Sequence, residues 1–125
     1  MIGSPVAGYG SSERFAWSGT GNVVNHPLVP AAPVDTLQRE YTHGRPLPRV
    51  VVDRLQIETD AASVFTFNTP ATAVDFDFLL RRRFAAAGDT GFEEVDIRGR
   101  PGAGIFFTLT GSSTAWSVTV EYHYE

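Results

Sequence analysis

The sequence predicts an all-β protein, an antiparallel β-sandwich preceded by an extended N-terminal arm. Three observations carry that expectation. From Arg49 onward apolar and polar residues alternate with period two, as they do in strands with one buried face. Turn residues interrupt the alternation at short, regular spacing. Six of the eight prolines (Pro5, Pro27, Pro30, Pro33, Pro46 and Pro48) and six of the twelve glycines lie before Arg49.

Each of those prolines removes a backbone donor and biases its predecessor toward extended conformations, so residues 1–48 read as an arm. One helical turn or two is expected from Asp35 to Tyr41, where Asp35 and Gln38 have capping spacing. No segment recurs, which leaves out repeat architectures. Residues 49–125 read as the sandwich domain, beginning with the strand VVVDRLQIET. SVFTFNT and AVDFDFL form a hairpin around a Pro70-Ala71 turn, with Phe67 facing Val74 and Phe65 facing Phe76. RRRFAAAGDTG follows as a loop or a short helix, then the strand FEEVDIR. GIFFTLT and TAWSVTVEYHYE form a second hairpin about Ser112-Ser113. Leu109 then sits opposite Trp116, Phe107 opposite Val118 and Ile105 opposite Val120, with Tyr122 and Tyr124 continuing the apolar face. About six strands at this spacing point to a sandwich of jelly-roll type.

Composition narrows the function. With 125 residues there is room for one domain, or one domain and an arm. A hydrophobic share of 42% is ample for a packed interior. The formal charge of -4 supplies no basic field, which disfavours gripping a nucleic-acid backbone. The absence of cysteine removes disulfides, thiolate catalysis and cysteine-ligated zinc. No apolar run is long enough to span a membrane as a helix. All ten basic residues are arginine, whose planar fork suits interfaces.

Candidate chemistry is sparse, and no catalytic, cofactor-binding or metal-ligating residue is assigned. His26, His43 and His123 are scattered and lack the close pairing of a zinc site. Asp75 and Asp77 stand two apart, as paired carboxylates would, but a strand that buries Val74, Phe76 and Phe78 must show a polar face to water. Glu93, Glu94 and Asp96 read the same way. The clusters GYGSSER, GTGNVV and GRPGAG lack the spacing of a phosphate cradle and read as turns, and there is no G-x-S-x-G elbow. Arg81-Arg82-Arg83 is the one dense charge run: it pairs internally with Asp75, Asp77 or Glu93, or it meets an acidic partner. Tyr9, Phe15, Trp17 and Tyr41 are bulky groups without periodicity, suited to covering a gap in the sandwich or to anchoring in a neighbour's pockets.

The Gly/Pro-rich stretch from MIGSPVAGYG to RPLPR, followed by the β-domain that ends in GIFFTLTGSSTAWSVTVEYHYE, resembles small virion structural proteins of tailed bacteriophages. Head decoration (cement) proteins and the bases of head spikes or fibres are the nearest types. The resemblance implies a non-enzymatic protein, made in the host cytoplasm, that binds the outer capsid surface. Its partner would be the major capsid protein or another virion protein, and it would form a homo-oligomer, a trimer in many such proteins. Tyr9, Phe15, Trp17 and Tyr41 would then be arm anchors, and Arg81, Arg82 and Arg83 polar contacts. The alternatives are a tail or neck adaptor, and a carbohydrate-binding or receptor-binding spike domain, which would need Trp17, Trp116 or Tyr124 exposed.

Overall fold

The computed structural model describes residues 13–32, 47–72 and 74–125. Among them are nine strands and no helix: β1 Glu13–Gly19, β2 Val23–Val29, β3 Val50–Thr59, β4 Ser63–Pro70, β5 Phe76–Phe84, β6 Gly88–Asp89, β7 Glu93–Arg98, β8 Ile105–Gly111 and β9 Trp116–Tyr124. They make two antiparallel sheets packed face to face. The first runs β1-β9-β3, with β6 and β7 in succession along the far edge of β3; the second runs β2-β8-β4-β5. The pairing is nested, β1 with β9, β2 with β8, β3 with β7 and β4 with β5.

Alternation explains which face goes inward. In β9 every second residue, from Trp116 to Tyr124, is buried. In β8 the buried set is Ile105, Phe107 and Leu109, and in β4 it includes Phe65 and Phe67. Each such side chain contributes about 1.5–3 kcal/mol by leaving water, and the sheets stay together because neither can hide its face alone. In β3 the phase changes part-way: Val50 and Val52 point inward, then Leu55 and Ile57. The pairing with β9 slips between Val52 and Arg54, so Asp53 is an extra residue, and this bulge accounts for the change of phase.

The expected pairing of β8 with β9 is corrected. They lie in opposite sheets, and their apolar faces meet across the core, with Phe107 and Trp116 ring centroids 5.1 Å apart at 79°. Matching apolar faces are satisfied side by side or face to face, and the connection decides between them. Ser112 N–H donates to the Ala62 carbonyl at 2.9 Å, the Thr59 hydroxyl reaches Ser113 Oγ at 2.8 Å, and Thr114 N–H donates to the Asp60 carboxylate at 2.9 Å. The segment is therefore stapled to the β3-β4 connection and carries the chain from one sheet to the other.

The β4-β5 hairpin exists with a different register. Pro70 ends β4 opposite Phe76, and Phe67 faces Leu80 rather than Val74. The turn is closed by Ala71 N–H donating to the Asp75 carbonyl at 2.8 Å, which displaces Pro70-Ala71 from its centre. Arg81 to Phe84, expected in a loop or helix, continue β5, because Phe84 is partly buried against the core and packs edge-on to Phe65. Of residues 1–48, read as an arm, Glu13–Gly19 and Val23–Val29 are strands at one edge of each sheet. The expected helical turn at 35–41 lies outside the described residues, as do Tyr9, Tyr41 and His43.

Gly111 closes β8 with φ 134°, and an added Cβ would sit 2.6 Å from the Ala62 carbonyl oxygen. Gly21 also has positive φ, 72°, but nothing lies within 4 Å of its added Cβ. Gly111→Ala should cost about 1–3 kcal/mol in denaturant unfolding, from strain plus overlap. The Gly21→Ala loss should be smaller; equal losses would contradict the account of this crossing.

Candidate functional site

The distinctive surface is the outer face of the second sheet. Residues paired directly in an antiparallel ladder share a face. Since Phe65 and Phe67 point inward, Val64, Thr66 and Asn68 point outward, and with them their β5 partners Arg83, Arg81 and Phe78. On the other side of β4 they meet Thr110, Thr108 and Phe106 of β8. Phe76 packs edge-on against Phe106, with centroids 5.6 Å apart.

This placement overturns the expectation that Val74, Phe76 and Phe78 form the buried face of their strand. Val74 is 83% exposed in the turn and Phe78 is 59% exposed. The cause is a second bulge. Asn68 pairs with Phe78 but Phe67 with Leu80, so Leu79 is an extra residue. Before it the even-numbered residues of β5 face outward; beyond it Leu80, Arg82 and Phe84 face the interior. Asp77, opposite Thr69, is turned to the Arg100 guanidinium and forms an ion pair with it. Asp75 and Asp77 are thus not a matched pair of carboxylates.

The same bulge divides the arginine run. Arg82 points inward at the open side of the sandwich and donates through Nε to Glu93 of β7 at 2.8 Å, bridging the two sheets. An inward charge of this kind also blunts the unpaired edge of β5 against further strands. Arg81 and Arg83 face outward. Arg81 lies 5.3 Å from the centroid of Phe78, and neither has an ion-pair partner among the described residues. Opposite Phe78, Asn68, 8% exposed, donates to Asn25 Oδ1 at 3.3 Å, and its own Oδ1 is buried without a partner among the described residues.

At the opposite side of the sandwich β1 and β2 meet. Phe15 stacks on Tyr122 at 5.5 Å, and Trp17 donates its indole N–H to the Leu28 carbonyl at 3.1 Å. Trp17 also packs edge-on to His26, which lies against Phe107 and Trp116. Phe15 and Trp17, expected as arm anchors, here cover the seam between the sheets. Of the three aromatics on which a sugar platform would rest, Trp116 and Tyr124 are buried and Trp17 is 37% exposed.

The outer face of the first sheet is polar. Glu121 lies between Arg14 and Arg54, and Arg98 between Asp96 and Glu125. His123 Nδ1 is 2.8 Å from Asp53 at the β3 bulge, and Nε2 is 3.2 Å from Glu125. Burial of the imidazole opposes its charge, but the hydrogen bonds to Asp53 and Glu125 outweigh that and raise its pKa. A groove of about 370 Å³ beside Trp116 is lined in part by Glu58, Asp60 and Asp89. Hydrogen bonds from the Thr114 side chain and backbone pull the Asp60 carboxyl down to about 2, and those from Gly91 N–H and Gln56 lower Asp89. These acids are held by the fold's own donors. Among the described residues no three His, Cys, Asp or Glu side chains are grouped to hold a metal ion.

The chain matches no protein-family model, and no curated protein matches it in sequence. Among the described residues no helix is long and apolar enough to cross a membrane.

Two measurements check these assignments. Arg82→Ala should destabilise the sandwich by about 0.5–1 kcal/mol, whereas Arg81→Ala and Arg83→Ala should stay within about 0.5 kcal/mol of wild type. Equal effects at all three positions would contradict the inward and outward division. A raised His123 pKa means that charged His123 stabilises the fold below about pH 6.5, its unfolded value, and that this contribution is lost as pH rises through the higher folded value. Unfolding midpoints should therefore fall across that window in wild type and change less in His123→Asn; parallel profiles would remove His123 as the cause.

Proposed function

We propose that the chain is a non-enzymatic assembly protein that attaches to another protein surface through the outer face of its second sheet. The observation that carries this reading is Phe78, 59% exposed in the middle of a strand, with Arg81 and Arg83 beside it and no carboxylate on that face among the described residues. An unscreened aromatic next to unpaired guanidiniums has the composition of an interface centre, where aromatic residues and arginine are enriched. A surface serving only solubility would mix both signs of charge.

The nested pairing supports reading the sandwich as a jelly roll, because alternate pairs fall in alternate sheets: β1·β9 and β3·β7 in the first, β2·β8 and β4·β5 in the second. A jelly roll carrying one sticky face, in a chain whose composition resembles small phage structural proteins, favours a place on the outside of a virus particle, with a capsid protein as the partner. A glycan-binding role is less favoured, since it would rest on Trp17 alone.

The test is co-sedimentation. In cells that produce the particles, the chain should travel with them through a density gradient, and a Phe78→Asp, Arg81→Glu, Arg83→Glu variant should remain in the soluble fractions while melting at a temperature close to wild type. A variant that sediments with the particles as wild type does, or a wild-type chain that never does, would sink the proposal.

A further inference from the structure

The two outer faces of the sandwich differ in sign. On the first sheet, seven carboxylates (Asp53, Glu58, Asp89, Glu94, Asp96, Glu121 and Glu125) stand with His123 and three guanidiniums, Arg14, Arg54 and Arg98. All three arginines are taken: Arg14 and Arg54 by Glu121, Arg98 by Asp96 and Glu125. Glu58, Asp89 and Glu94 are exposed and form no ion pair with an arginine among the described residues, although Glu94 stands opposite Arg54 in the β3-β7 ladder. Glu58 and Asp89 are moreover directly opposite each other in the β3-β6 ladder, a like-charge pair that costs stability and is softened by the Gln56 amide between them and by Gly91 N–H on Asp89. The second sheet shows the converse, with Arg81 and Arg83 on one face of β5 and no acid opposite.

We infer that the cationic face also fits a second copy of this chain, received on its acidic face, so that in a row of copies only the end copy's cationic face is left for the particle. Arg81 and Arg83 of one copy meet Glu58, Asp89 and Glu94 along the acidic face of the next, and Phe78 is covered at the contact. The inference rests on the docking-face reading above and adds the partner's chemistry. Each face lacks what the other supplies: surplus acid on one side, unpaired guanidinium on the other, with separations shortened to ion-pair range only between copies. Because donor and acceptor surfaces are different patches, the contact is head to tail, and every added copy leaves one face of each sign free.

Sedimentation velocity of the isolated full chain tests this from micromolar to near-millimolar concentration, at low and high salt. The mass should rise with concentration, and high salt should suppress the rise. Arg81→Glu with Arg83→Glu, and separately Glu58→Arg with Glu94→Arg, should each weaken association about tenfold or more. An equimolar mixture of the two variants should restore it, which also shows that both remain folded. A wild-type monomer at every concentration and salt would overturn the inference, as would association indifferent to either pair of reversals or a mixture that fails to recover. Wild-type chain that stays monomeric yet co-sediments with particles through Phe78, Arg81 and Arg83 would overturn this inference alone and leave the docking face with a different partner.

Discussion

Phe107 against Trp116 is the contact on which the remaining structure depends. The two rings belong to strands that are neighbours in sequence but lie in opposite sheets, and they touch edge to face at the centre of the core. Phe65 and Phe67 flank Phe107 from β4, while His26 fills the space between Trp17 and Trp116. Removing this contact would take away the central aromatic pair between the sheets, although the stapled connection would still assign β8 and β9 to separate ones. Two devices seal the sides of the slab: the Trp17 indole on the Leu28 carbonyl where β1 meets β2, and the Arg82–Glu93 pair where β5 meets β7. One is an aromatic cover and the other an ion pair about one-third exposed at each member, so the second adds little energy and chiefly fixes how the edges align.

What reaches the surface is decided by two single-residue bulges. A strand's faces alternate strictly, so one extra residue exchanges everything beyond it. At Asp53 the exchange keeps β3 apolar inside in both halves and brings Asp53 to His123. At Leu79 it does something less conservative: it turns Phe76 and Phe78 outward, and sends Arg82 inward. A sheet that only had to be stable would gain from burying Phe78. That it is exposed while a guanidinium takes an inward position is the kind of local conflict that accompanies a functional surface.

The sequence was legible where a steric rule acts on each residue separately. Period two identified the inward residues of β8 and β9, the span of β3, and the start of β4, because alternation follows from the pleat alone. It was silent on neighbours. Alternation states which face a residue takes and not which strand lies beside it, so the matching apolar faces of β8 and β9 read as adjacency, with Phe107 opposite Val118 and Leu109 opposite Trp116. β1 and β2 were hidden by proline and glycine density; Pro27 is tolerated because β2 is an edge strand, and Asn25, with φ 47°, breaks the register there. The arginine run stood out as a charge cluster, and Glu93 was among its foreseen partners. Alternation alone separates Arg82 from Arg81 and Arg83, but which of them face inward depends on the Leu79 bulge, which no composition announces. For the same reason the exposed phenylalanines, the most informative residues of the surface, were placed in the core.

A slab with surplus carboxylate on one broad face and uncompensated guanidinium on the other is an electric dipole perpendicular to its sheets. Within a Debye length of about 8 Å at physiological salt, such a molecule feels a torque near any charged surface before contact is made. It would arrive at an acidic surface with Phe78 already facing it, and at a basic one with Phe78 turned away. The sign arrangement therefore acts during the approach as well as in the bound state, reducing the number of unproductive orientations that an encounter has to sample.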